Sequence, residues 1–203
     1  MNPLLSVKGS LVTGFVLAIA IAAAIAISVG GGFNVNWQSL VRWLHILAGI
    51  TWIGLLYYFN VVQVPGLAAA AADKGGPGGA GVTKYIAPRA LLWFRWAAVA
   101  TLVFGLGLLG SRFVDTYTFG LASGVSGPLT VAMGIGAWFG TIMAFNVWVF
   151  IWPNQKKILG IVAATDEQKA TARKVALLAS RTNFVLSIPM LMCMVAPSHG
   201  LPF

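Results

Sequence analysis

Apolar residues run along this chain in five blocks, separated by short stretches rich in glycine, proline or charge. Crossing about 30 Å of hydrocarbon takes about 20 helical residues, and the blocks at 11–30, 39–64, 89–110, 128–152 and 174–196 meet that length. The pattern predicts an all-α, polytopic membrane helix bundle of about five transmembrane helices, a single domain over residues 1–203. Prolines set the expected ends. Pro88 and Pro128 suit a first helical turn, which tolerates a missing N–H, and Pro65 and Pro153 suit the closing of the second and fourth spans. Pro189 lies within the fifth span and predicts a kink. Thr165 and Gln168, three residues apart ahead of that span, form a capping-box pattern, so its helix should begin well before the apolar block.

The second block departs from simple apolarity. "VRWLHILAGITWIGLLYYFNVVQVP" (41–65) keeps four strongly polar side chains in a segment that must lie in hydrocarbon. At about 100° per residue, Arg42, His45, Gly49, Trp52, Leu56, Asn60 and Gln63 fall within about 80° on one face. Polar groups facing lipid are costly, so this face should look into the bundle or a cavity. The first block, after Lys8, has nothing more polar than serine and threonine and reads as a signal anchor serving insertion and packing.

Composition and charge narrow the class. Only 8% of the residues are charged and 59% are hydrophobic, where a soluble domain carries about 25% charged residues. The formal charge of +9 is spread between spans and argues for topology, with no nucleic acid as partner. Lys8, Lys74, Lys84, Arg89, Lys156, Lys157, Lys169, Arg173 and Lys174 fall on one side; Arg42 and Arg112 lie on the other. The positive-inside rule then predicts a cytoplasmic N-terminus, a C-terminus outside, and a multi-pass protein of the bacterial inner (cytoplasmic) membrane. The 68–81 segment is a glycine-rich flexible linker without a phosphate-loop context. A single cysteine, Cys193, rules out a disulfide framework and a cysteine metal cluster, and no C-x-x-C-H appears for covalent haem attachment.

Candidate chemistry gathers at two depths. In this topology His45 lies about 9 Å below the outer surface at 1.5 Å per residue, and His199 emerges on the same side. Imidazole is a common ligand of metals and haem, and Gly49, one turn from His45, would let a flat macrocycle approach. A hydrogen bond from His45 across helices, with His199 in a solvated tail, is the competing reading. Towards the inner side stand Asn60, Gln63, Arg95, Asn146, Arg181 and Asn183. All four acidic residues lie outside the spans, so Arg95 and Arg181 either snorkel to the surface or hold an anion, such as a propionate, a lipid phosphate or a small anionic substrate. Ala132, Gly136, Gly140 and Ala144 form a small-residue ridge for close helix contact, within the bundle or with a partner. Trp37 and Trp43 outside, with Trp93, Trp96, Trp148 and Trp152 inside, suit interfacial belts; Trp52 and Trp138 are expected to line the interior.

Residues 42–59, "RWLHILAGITWIGLLYYF", resemble a signature segment of the urate oxidase N-terminal family, the membrane part of bacterial cytochrome-c-coupled urate hydroxylases. The ending "SRTNFVLSIPMLMCMVAPSHG" (180–200) is similar to that family's last membrane segment. The resemblance emphasises Arg42, His45, Gly49, Trp52 and Gly54, then Asn183, Pro189 and His199. It implies a redox setting and a periplasmic cytochrome as partner. Full-length members carry more spans and a C-terminal cytochrome c domain, so a chain stopping at Phe203 reads as a shortened form without that outlet.

Three functions therefore stand open. One is a redox-associated membrane protein that binds haem or a metal through His45 and His199, with Arg42, Gly49 and Trp52 around it. Another is a non-catalytic accessory subunit, packed through its small-residue ridge against other subunits of a respiratory, photosynthetic or oxygenase complex. The third is a small-anion carrier using Arg95 and Arg181. No acid–base pair, nucleophile–base pair or thiolate set can be assembled, so the catalytic residues, and whether the chain is an enzyme, stay open.

Overall fold

Among the described residues, five helices are long and apolar enough to cross a membrane: α1 (Val7–Ser28), α2 (Trp37–Ala72), α3 (Val82–Tyr117), α4 (Pro128–Ile158) and α5 (Asp166–His199). They belong to a computed structural model that describes residues 2–30 and 34–202. No strand occurs among the described residues. The chain divides into two compact units, Met1–Leu40 and Val41–Phe203, with the boundary in the first turn of α2. In the first unit α1 is capped by Ser6, whose hydroxyl accepts from Gly9 N at 3.0 Å. Everything below concerns the second unit.

The helices outrun the apolar blocks because of how the chain accommodates its prolines. Pro65 and Pro153 do not close α2 and α4, which continue to Ala72 and Ile158, and α3 is already helical at Val82, ahead of Pro88. Each of the three prolines stands just after a π-helical turn: Tyr58–Gln63, Val82–Ile86 and Val147–Ile151. Proline lacks the N–H for the ordinary bond, and its ring presses on the carbonyl four residues back. A π turn bonds five residues back instead, so the widened turn relieves that pressure and the helix passes through. The helix ends expected at Pro65 and Pro153 are corrected accordingly, while Pro88 and Pro128 stand in the first turn of a regular α-helix as expected.

At the start of α5 both halves of the capping box form: Thr165 N donates to Gln168 Oε1 at 2.9 Å, and Gln168 N donates to Thr165 Oγ1 at 3.2 Å. The helix then runs on to His199 with Pro189 and Pro197 inside it. The main core joins α2, α3, α4 and α5 through Trp52, Leu56, Phe94, Met143, Val147 and Met190.

The small-residue ridge of α4 is used inside the bundle. A Cβ on Gly136 would lie 3.2 Å from Cys193 Cβ and 3.3 Å from Met194 N, so the α4 and α5 backbones meet here. Ala132, Gly136, Gly140 and Ala144 are all buried. The ridge is thus occupied by α5, and it offers no face for a partner.

The α3–α4 connection is fixed against α4. Phe119 and Gly120 both adopt positive φ, +57° and +80°, and Gly120 N donates to Asp115 O at 2.6 Å. Gly134 makes room for this corner, since a Cβ there would sit 2.5 Å from the Thr116 carbonyl oxygen. Trp138 is 42% exposed and does not line the interior as expected. Its Nε1 donates to Tyr117 O at 3.0 Å at the end of α3, which ties the indole to the bundle's flank.

Candidate functional site

His45 is half-buried where α2 meets α3, and its Nδ1 lies 2.8 Å from the carbonyl oxygen of Thr101. A carbonyl can only accept, so Nδ1 carries the hydrogen in this contact. In the neutral imidazole Nε2 then holds the free lone pair. Histidines that bind metals are commonly oriented in this way, by a backbone carbonyl on the other ring nitrogen. The Thr101 hydroxyl donates to Ala97 O at 2.7 Å, and its carbonyl oxygen has a second lone pair with which to accept from the imidazole.

Two glycines border the ring, with different roles. A Cβ on Gly105 would fall 3.0 Å from His45 Cε1 and 3.2 Å from Nδ1, so the imidazole rests directly on the α3 backbone. A Cβ on Gly49 would meet only Thr101 Cγ2, at an ordinary 3.9 Å. Gly105 and Thr101 are the residues that sequence reasoning missed. Glycines 105 and 107 in "FGLGLL" were the available signal, but nothing in the sequence aligns α3 with His45.

The rest of the stripe follows in order along α2. Arg42 is exposed, Gly49 is half-buried, and Trp52, Leu56 and Asn60 are buried, as is Phe59 beside them. The inward face inferred from periodicity is therefore present from His45 onward. Trp52 Nε1, Asn60 Oδ1 and Gln63 Oε1 are buried without a hydrogen-bond partner among the described residues. Each such atom costs on the order of 1–3 kcal/mol unless something binds it. They leave this face with three unsatisfied polar atoms; Trp148 Nε1, off this face, is another such atom.

The inner polar residues separate into pairs. Asn60 Nδ2 donates to Ser180 Oγ at 2.9 Å and to Leu56 O at 2.8 Å. Asn146 Nδ2 donates to Asn183 Oδ1 at 2.8 Å, and Asn183 Nδ2 donates to Met143 O at 2.9 Å, joining α4 to α5. Arg95 is half-buried with its guanidinium carbon 3.8 Å from the centre of the Trp152 ring. Such a cation–π contact is worth about 0.5–2 kcal/mol. Arg181 is exposed, and so is His199 in the last turn of α5. Among the described residues no three His, Cys, Asp or Glu side chains gather as a metal cluster.

With this geometry established, comparison with protein families places the C-terminal part of the chain. Residues 113–203 match the urate oxidase N-terminal family. The matched stretch covers just under half of the chain, from the end of α3 through α4 and α5. It includes Asn183, Pro189 and His199, and so supports the urate oxidase N-terminal resemblance seen at 180–200. The segment 42–59, which carries His45, lies outside the match. No curated protein and no solved structure matches the chain.

Proposed function

We propose that this chain is the membrane domain of a redox system, in which His45 holds a haem or a metal ion through Nε2. The single observation that carries this reading is the Nδ1–H contact to Thr101 O at 2.8 Å, which orients the ring and leaves Nε2 as the available donor. The family match supports the same direction, since its name points to oxidation of urate, and urate is the substrate to try first. A bound haem or metal would supply one-electron chemistry. The chain's own part would be to anchor the ligand on two helices and to keep Trp52 Nε1 as a buried donor on the same face. His199 is the second proposed ligand, and Arg42 and Gly49 are proposed to lie near the group.

The charge asymmetry supports a cytoplasmic N-terminus, with the C-terminal end of α5 facing the periplasm of a bacterial inner membrane. A separate periplasmic cytochrome would take the electrons there. Arg95 and Arg181 are the proposed anion contacts on the inner side.

The test is a dithionite-reduced minus oxidised optical spectrum of mildly solubilised protein, with metal analysis alongside. The expected result is a haem band or a stoichiometric metal that is lost in His45→Ala while the protein still elutes as a folded particle. A colourless, metal-free wild type that travels with larger membrane subunits would overturn this reading. His45 would then be a helix-to-helix tie in an accessory subunit.

A further inference from the structure

Away from the His45 face, α2 and α3 leave an apolar groove of about 540 Å³ on the side of the bundle. Ile50, Gly54 and Leu55 of α2 face Ile86, Ala90 and Trp93 of α3 across it, and Tyr85 and Arg89 stand along its border. Ile50, Ile86 and Trp93 are each about half or more exposed, so the groove opens outward, where a membrane helix meets lipid tails.

One end of the groove is cationic. Arg89 donates through one guanidinium nitrogen to the Tyr85 carbonyl, which aims the group, and among the described residues no other hydrogen bond holds it. Lys84 Nζ lies 5.4 Å from the centre of the Tyr85 ring. No carboxylate pairs with either cation among the described residues; the one ion pair there is Lys169 with Asp166. All three residues lie in the opening turns of α3, where the chain leaves its apolar stretch, so the cations fall near headgroup depth while the trough extends towards the middle of α2.

We propose that this groove is a binding site for an anionic phospholipid, with an acyl chain in the trough and the phosphate held by Arg89 and Lys84. The apolar floor alone would suit any lipid tail. Arg89 on the border, with Lys84 beside the bordering Tyr85 ring, selects a negatively charged headgroup. Gly54 deepens the trough, because nothing lies within 4 Å of the position its Cβ would take. A Cβ there meets open space on the groove side, so leucine is placed to reach into the groove, and a helix interior favours leucine over glycine.

The experiment uses native mass spectrometry and thermal stability of the full chain. The protein is exchanged into detergent and titrated with dioleoyl phosphatidylglycerol, dioleoyl phosphatidylcholine, inorganic phosphate or decylubiquinone. The expected result is retained phosphatidylglycerol and a rise in Tm that phosphatidylcholine and phosphate do not match. Arg89→Gln and Lys84→Gln should each weaken phosphatidylglycerol about fivefold, as expected for a basic residue near a lipid surface. Gly54→Leu should remove lipid retention while the lipid-free Tm is kept. The proposal is overturned if both lipids are retained equally, if phosphate alone stabilises as well, if the quinone binds in preference, or if Gly54→Leu retains lipid like the wild type. A His45→Ala protein that lacks the haem or metal signal but keeps the lipid effect separates this site from the redox reading.

Discussion

His45 shows how one side chain depends on what its neighbour lacks. Its ring lies against Gly105 because no Cβ intervenes. Gly105→Ala should push the imidazole off the Thr101 carbonyl and cost about 1 kcal/mol, the net worth of a hydrogen bond. Gly49→Ala, whose Cβ would find an ordinary contact at 3.9 Å, should instead stabilise by about 0.5–1 kcal/mol, since a helix interior favours alanine over glycine. Thermal unfolding of the two variants in the same detergent checks the contrast, and equal effects would sink the proposed packing. At this scale the sequence exposed the histidine, since a titratable group in an apolar block stands out. It did not expose Gly105, because a glycine in a membrane helix has many uses and only the partner helix selects among them. Trp138 is the opposite case. Its place within an apolar block suggested the interior, yet a carbonyl left at the end of α3 holds its indole on the flank.

Helix ends follow the same logic at the scale of elements. Thr165 and Gln168 signal a helix start through local chemistry, and the capping box forms as the spacing indicates. Thr165→Ala should cost about 1 kcal/mol, seen as faster amide exchange confined to the first turn of α5. Prolines 65 and 153 mislead because proline reports a missing N–H without saying how the chain absorbs it. Here π turns do so. The α3–α4 corner gives a sharper test. Gly134→Ala would place a Cβ 2.5 Å from the Thr116 carbonyl oxygen, a backbone atom that cannot swing aside. A loss of about 1–3 kcal/mol is expected from overpacking, measured as a lower Tm. An unchanged Tm would mean the corner does not rest on α4.

For the whole molecule the open quantity is orientation across the bilayer. The basic residues of the α2–α3 and α4–α5 connections predict that both face the cytoplasm. Cys193 is buried, which gives a quiet background for labelling. Ala80→Cys and Val162→Cys should react with a membrane-impermeant maleimide only in inverted vesicles, and Ser123→Cys only in right-side-out spheroplasts. The reverse pattern would invert the topology and move His45 and His199 to the cytoplasmic leaflet.

Sequence by itself determined the helical class, five helices long and apolar enough to cross a membrane, the inward face of α2 and the start of α5. Each follows from length, periodicity or a local hydrogen bond, and none needs a distant residue. The resemblance at 180–200 was legible for a similar reason, being a contiguous stretch. Tertiary structure decided which carbonyl orients His45, which glycine makes room for it, that the α4 ridge is closed by α5, and that Arg95 stacks on Trp152. These depend on the register between helices, and register is set by side chains packing across interfaces that periodicity along a single helix does not encode.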